Sequence, residues 1–309
     1  MITENQITEI FFQLHEFYKL FESELQKRSL GSVSCKRKYK KRAPILSIPE
    51  VMMIIVMYHM SSYKCLKHFY LHEICERRRD LFPNVVSYNR FTEIEAQAIF
   101  PLFAFLKQYM YDKCTGISIV DSTPLRVCRN QRILQHKVFD GLAERGHCSM
   151  GWFFGFKLHL ICNEKGELVN FTLTKGNVDD REPLKDKNFI YNLFGKLVGD
   201  KGYISKELFD KLFVDGIQLI TKLKKNMKGC TMSIGDTLLL RKRALIETVN
   251  DELKSIANVE HSRHRSIANF IANTFSALTA YCFFPKKPSF RMAYSYHHDD
   301  SGDRQLTLF

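Results

Sequence analysis

Asp121, Asp200 and Glu247 are the residues of this sequence whose types and settings best suit chemistry. Asp121 follows the apolar run Ile117-Ser118-Ile119-Val120, and Asp200 follows Lys196-Leu197-Val198-Gly199. Glu247 stands in a predicted helix between Arg243 and Lys254. Two aspartates at strand ends and one helical glutamate could hold a pair of Mg²⁺ ions. Mg²⁺ is a hard cation that takes few protein carboxylates and completes its shell with water and phosphate oxygens. Two such ions activate an attacking oxygen and stabilise a leaving one in an in-line displacement at phosphorus. Each residue alone has a plainer reading. An aspartate after a strand is often a loop or cap residue, and a glutamate among helical cations is usually a surface ion pair.

The elements that must position these acids begin near residue 115. Strands are expected at 117–120, 155–162 and 168–174, the last two joined by the turn Asn163-Glu164-Lys165-Gly166. A helix opened by acidic residues and Pro183 is expected at 180–194, then a strand at 196–199 and a helix at 205–213. A strand at 217–221 and a long helix at 237–256 complete the set. Three meandering strands followed by two that enter through helices predict a five-stranded mixed α/β sheet flanked by helices. Its first and fourth strands then lie side by side, which puts Asp121 and Asp200 at neighbouring strand ends. Glu247 must reach them from a helix packed across that end.

The first third reads as helical. Ile7, Ile10, Phe11, Leu14, Phe17, Tyr18, Phe21 and Leu25 recur at three- and four-residue steps. Ser47-Ile48-Pro49-Glu50 is a capping box that starts a second helix, running to about Met60. Further helices are expected at 63–79 and from Ser87 onward. Lys64, Lys67, Arg77, Arg78, Arg79 and Arg90 fall on these helices, which could form a helix-turn-helix against DNA ends or simply a basic helical subdomain.

The chain of 309 residues carries 46 Lys and Arg against 33 Asp and Glu, a net charge of +13. That excess draws it to nucleic acid or to an anionic membrane surface. Membrane insertion is not expected, because the strongest apolar run, 51–60, is too short to span. No signal peptide is evident at the N-terminus. Nine cysteines, odd in number and without a C-x-x-C pair, fit reduced cytoplasmic thiols rather than a disulfide framework or a zinc finger. No Gly-rich Lys-Ser/Thr loop points to ATP. Lys36, Arg37, Lys38, Lys40, Lys41 and Arg42 put six cations in seven residues between two helical segments, a phosphate-contacting or a solvated linker.

Four motifs together resemble the bacterial insertion-sequence transposases. They are Val120-Asp121-Ser122-Thr123-Pro124, the run Gly151-Trp152-Phe153-Phe154-Gly155-Phe156-Lys157-Leu158-His159, Gly199-Asp200-Lys201-Gly202-Tyr203, and the set Arg243, Glu247 and Lys254. The likeness covers most of residues 45–285, including His261-Ser262-Arg263-His264-Arg265-Ser266. It implies an RNase H-like core with a DDE triad and two Mg²⁺ ions, for which Mn²⁺ can substitute. Asp121 would bridge both metals, Asp200 would hold one and Glu247 the other. The enzyme so implied cleaves its transposon ends and joins the freed 3′-hydroxyls to target DNA. It would act on double-stranded DNA as a homodimer or larger assembly, in the bacterial cytoplasm at the nucleoid. Occurrence in order among these neighbours favours the catalytic reading of the three acids over the plain ones. In the family the third motif is tyrosine, two residues, arginine, three residues, glutamate, six residues, lysine. Arg243, Glu247 and Lys254 keep those intervals, but Leu240 stands where the tyrosine is expected. Arg243 and Lys254 share one helical face with Glu247 and would hold DNA phosphates.

Asp140, Asp179 and Asp180 are competing carboxylates, the last two better suited to a loop and a helix start. Trp152 reads as a packing anchor at a strand entry rather than a base-stacking group. Lys157 is expected at DNA, with His159 on the same strand face left open. Arg263 and Arg265 precede an apolar helix whose start could meet phosphate. The domain division expected is 1–112 helical and DNA-end binding, 113–285 catalytic, and 286–309 a flexible tail. The tail ends Gln305-Leu306-Thr307-Leu308-Phe309, which resembles the peptide by which bacterial replication proteins dock on the sliding clamp. An RNase H-like nuclease without strand transfer and an inactive DNA-binding regulator are the alternative readings.

Overall fold

The computed structural model describes residues 2–29, 45–222, 232–260, 264–290, 294–296 and 306–308. Its helices are α1 (Glu4–Ser29), α2 (Ile48–His59), α3 (Leu66–Phe69), α4 (Tyr88–Ile94), α5 (Ile99–Met110), α6 (Lys206–Val214), α7 (Ile234–Lys242), α8 (Ala244–Ser255) and α9 (Ile267–Cys282). Its strands are β1 (Ile117–Cys128), β2 (Glu144–Cys148), β3 (Gly151–Asn163), β4 (Leu168–Lys175), β5 (Gly195–Gly199), β6 (Ile217–Thr221), β7 (Tyr294–Tyr296) and β8 (Leu306–Leu308). The chain forms two compact units that interleave in sequence. One takes residues 1–109, 127–142 and 251–285, the other 110–126, 143–250 and 286–309.

The first unit is helical and is built around α2. The capping box forms as expected: Glu50 Oε2 accepts from the Ser47 N–H at 2.6 Å, and Ser47 Oγ accepts from the Glu50 N–H at 3.4 Å. From Val51 to His59 every residue of α2 is buried. A helix without a polar face belongs in the middle of a core, and Leu14, Phe69, Tyr70, Phe91 and Leu102 surround this one. The helix expected at 63–79 starts later, as α3, and continues as π-helix over Tyr70–Arg77. Helix α9 also belongs to this unit, with Ala280 in the same core and Phe275 packed against it. The apolar helix that the sequence places in the catalytic segment thus packs with the N-terminal helices.

The second unit holds a mixed sheet in the order β2-β3-β1-β5-β6, with β4 also paired to β3. Strand β5 pairs parallel with both β1 and β6, and β2 and β4 pair antiparallel with successive stretches of β3. The first and fourth expected strands, now β1 and β5, are adjacent as the sequence predicts. Strand β2, Glu144-Arg145-Gly146-His147-Cys148, was not foreseen, because it carries no alternation of apolar residues. It makes the sheet six-stranded rather than five-stranded. β3 approaches β1 so closely that a Cβ on Gly155 would lie 2.0 Å from the Leu125 carbonyl oxygen, so only glycine fits.

Two expected helices are corrected. Residues 180–194 form only a 3-10 turn at Glu182–Lys185, followed by irregular backbone. Side chains there compete for the backbone: Asp179 Oδ1 accepts from the Arg181 N–H and Asp186 Oδ1 from the Asn188 N–H, each at 2.9 Å. The segment still buries Leu184, Phe189, Ile190 and Leu193 against the sheet core. The helix expected at 237–256 is two helices, α7 and α8, broken at Arg243. The bounds also shift, since Ser233 caps α7 by accepting from the Asp236 N–H at 3.0 Å. No glycine or proline announces the break. At the C-terminus β7 and β8 pair antiparallel, where the sequence suggested an unstructured tether.

Candidate active site

Strand β1 outlasts its pairing with β5. The last paired residues are Ile119 and Val198, and the same register carried two residues on sets Asp121 beside Asp200. Asp121 therefore lies inside a long strand rather than at its end, at the point where β1 leaves its parallel neighbour. Asp200 ends β5 with extended backbone, φ −78° and ψ 172°, and its carbonyl accepts from the Tyr203 N–H at 3.0 Å. Its side chain is exposed. Glu247 lies in the first turn of α8, where a carboxylate is favoured by the helix dipole.

Electrostatics bring the three together. Loss of water pushes the Asp121 carboxyl up to about 6 from 3.8, and the charges of Glu247 and Asp200 push the same way. The Ser122 backbone N–H and Arg243 oppose the shift. Asp121 thus feels the charges of both other acids. Arg243 forms an ion pair with Glu247, whose side chain is 54% exposed. Among the described residues no three His, Cys, Asp or Glu side chains are gathered as a closed metal cage.

Two neighbours of Asp121 were missed in the sequence. Asn250 Nδ2 donates to Asp121 Oδ2 at 3.0 Å. Tyr203 is buried, and burial, together with the charge of Asp121, raises its phenol well above its usual range. Its hydroxyl lies by Ser122 and, among the described residues, has no partner at full hydrogen-bond geometry. The interval from Glu247 to Asn250, one helical turn, was the available signal for the first. For the second it was the run Asp200-Lys201-Gly202-Tyr203. Leu240, at the expected tyrosine position, is a buried residue of α7.

The cations expected at DNA divide into three groups. Lys157 is drawn inward: its ammonium donates to the Val178 carbonyl and to Asp180 Oδ1, both at 2.9 Å, and its side chain is only 12% exposed. Lys254 pairs with Glu260 at 3.5 Å, Arg243 pairs with Glu247, and Arg265 is exposed ahead of α9. Lys36, Arg37, Lys38, Lys40, Lys41, Arg42 and Arg263 lie outside the described residues. Of the helical cations, Arg78 donates to buried Glu73 at 2.9 Å and Lys64 to Asn258 Oδ1 at 2.6 Å.

Two of the competing carboxylates, Asp179 and Asp180, have local partners. Asp179 is held near 2 by its hydrogen bond with Arg181, and Asp180 takes Lys157. His159 is a buried neutral imidazole bonded to Thr174 Oγ1 at 2.9 Å, and burial lowers it to about 4. Trp152 is not a packing anchor. It is 65% exposed, and His147, its cross-strand partner, meets it edge to face at 5.2 Å. Of the C-terminal peptide, Leu306 and Leu308 fall in β8, while Gln305 and Phe309 lie outside the described residues. No described helix is long and apolar enough to cross a membrane.

A comparison with curated proteins finds no match. Among solved structures the chain is similar to a piggyBac transposase in a synaptic complex with hairpin DNA. The identity is 10% and the TM-score 0.45, over 80% of this chain and 69% of that one. That likeness is too slight to carry the fold. The family match is of another kind: the model of the transposase DDE domain covers residues 111–267, more than half of the chain and all three acids. This protein belongs to the DDE transposases.

Proposed function

We propose that the chain is the transposase of a bacterial insertion sequence, that it cuts the ends of that element and that it joins the freed 3′-hydroxyls to target DNA. Its sheet unit is read as an RNase H-like core, with Asp121, Asp200 and Glu247 as the acids that hold metal. The meeting of Asp121 and Asp200 where β1 and β5 part, with Glu247 close enough for its charge to act on Asp121, supports this most directly.

DDE transposase domains use divalent metal ions. The residues here fit such an ion. Asp121 is a carboxylate short of water and set beside two like charges, the condition that a divalent cation relieves. An all-oxygen donor set that stays open to solvent at Asp200 and Glu247 suits Mg²⁺, with Mn²⁺ as substitute. Two bound ions would supply an activated attacking oxygen and a stabilised leaving oxygen. Asp121 would be shared between them, with Asp200 and Glu247 each serving one. Arg243 neutralises Glu247 and Lys254 neutralises Glu260, and both cations would exchange those partners for DNA phosphates.

In this reading residues 1–112, with the basic linker, hold the DNA ends, 113–285 carry the chemistry, and 286–309 form a tail. Arg263 and Arg265 add phosphate contacts before α9. The enzyme acts as a homodimer or larger assembly on paired ends at the bacterial nucleoid. Gln305, Leu306, Leu308 and Phe309 dock on the sliding clamp, so removing residues 305–309 should abolish clamp pull-down.

A strand-transfer assay with the element's own ends and Mg²⁺ tests the whole. Joined product is expected. Cleaved product alone would indicate a nuclease, and binding alone a regulator. Asp121→Asn, Asp200→Asn and Glu247→Gln should each abolish cleavage and spare DNA binding, and robust turnover by any of them removes that residue from the set.

A further inference from the structure

Asn250 stands one turn after Glu247 on α8 and is almost wholly buried. Its Nδ2 donates to Asp121 Oδ2, while its Oδ1 is buried and meets no hydrogen-bond partner among the described residues. Asparagine is a poor helix former, because its amide competes for backbone groups. An amide buried with one half unpaired is also costly. Leucine, with the same branched side-chain skeleton, would remove both penalties and match Ile246, Val249 and Leu253, the other buried residues of this helix face. Packing therefore gives no reason for an amide here. The contact that does is the one with Asp121.

We propose that Asn250 is a positioning residue for DNA cleavage: its amide sets the rotation of the Asp121 carboxylate and ties it to the helix that carries Glu247. The proposal rests on the reading of Asp121 and Glu247 as members of the acidic site. The Ser122 backbone N–H favours the charged form of the same carboxylate. A neutral donor such as the Asn250 amide holds a carboxylate in place without cancelling its charge, so the negative charge stays available to a cation. A lysine or arginine at 250 would orient Asp121 equally well but compete with that cation. An aspartate would repel the Asp121 carboxylate. The neutral amide is the side chain of this length that orients and does neither.

The test uses the full-length protein and DNA bearing the element's end, comparing wild type with Asn250→Ala, Asn250→Leu, Asn250→Asp and Asp121→Asn. Four quantities are read: single-turnover nicking rate, end-DNA affinity, melting temperature, and Mn²⁺ affinity by electron paramagnetic resonance. Asn250→Ala and Asn250→Leu should slow nicking on the order of tenfold to a hundredfold, as expected when a reacting group is misplaced. End-DNA affinity should be unchanged, Asn250→Leu should melt no lower than wild type, and Mn²⁺ should be held more weakly. Asn250→Asp should nick more slowly still. Wild-type nicking or wild-type Mn²⁺ affinity in both the alanine and leucine variants, with Asp121→Asn inactive, overturns the role of Asn250 alone. An Asp121→Asn variant that still nicks overturns the site reading itself. Loss of activity that tracks loss of folded protein in all three Asn250 variants assigns the residue to stability and also overturns the proposal.

Discussion

The ammonium of Lys157 donates to the Val178 carbonyl and the Asp180 carboxylate, and little of it reaches water. Arg243 belongs to the opposite case, paired with a Glu247 carboxylate that stands half in solvent. The same positive charge thus does different work at the two positions. Removing an exposed partner changes stability little, because solvent screens the pair. Removing a buried donor leaves its acceptors unsatisfied. Lys157→Ala should therefore lower stability by roughly 1–3 kcal/mol, read by chemical denaturation. It should leave the salt dependence of DNA binding as in wild type, since that slope counts cations at phosphate. A shallower slope with unchanged stability would restore Lys157 to the DNA surface. The sequence could place Lys157 and His159 on one strand face, but not the loop at 178–180 that meets the lysine. Side-chain partners that arrive from an irregular segment have no periodicity to betray them.

Strands with β-branched and aromatic runs were legible, and so was the adjacency of β1 and β5, because a meander followed by crossovers admits few topologies. The turn at 163–166 was legible too: Asn163 Oδ1 accepts from the Lys165 and Glu167 N–H groups at 2.9 and 3.0 Å, and Gly166 takes φ +68°. Strand β2 escaped because its pairing partner, not its own composition, makes it a strand. The helix at 180–194 was misread because its apolar spacing is real, yet Asp179 and Asp186 close local turns that divert the backbone. The β2–β3 ribbon carries the clearest test at this scale. A tryptophan that anchors a core costs about 3–5 kcal/mol when cut to alanine. An exposed one changes stability by roughly 0.5 kcal/mol or less. Trp152→Ala should fall in the second class by thermal or chemical denaturation, and a loss of several kcal/mol would return Trp152 to the packing role its sequence position suggested.

The interleaving of the two units bears on any attempt to divide the chain. Helix α9 shares the core of α2, so a fragment of residues 113–285 would strand an apolar helix whose buried side includes Phe270, Leu278 and Tyr281. That fragment should aggregate or remain partly unfolded, as circular dichroism and size-exclusion chromatography would reveal. A monodisperse, cooperatively melting fragment would contradict the shared core. The pH dependence of the whole chain follows from its buried ionisable groups. His59, His159 and His264 are each lowered by burial to about 4, so the stability they contribute is lost as pH falls from 6.5 towards 4. Glu95 acts on the other flank. It is buried in the turn between α4 and α5, and burial raises its carboxyl from 4.5 to about 8. Between those values the folded chain keeps a proton that the unfolded chain has released. Stability is thus full below about 4.5 and falls as pH rises towards 8. Glu95→Gln keeps the shape and removes the ionisation. Its melting temperature should stay level from pH 6 to pH 9 where wild type declines, with an advantage at pH 9 of roughly 2–4 kcal/mol. Parallel curves for the two proteins would mean that Glu95 meets water or a cation in the folded state.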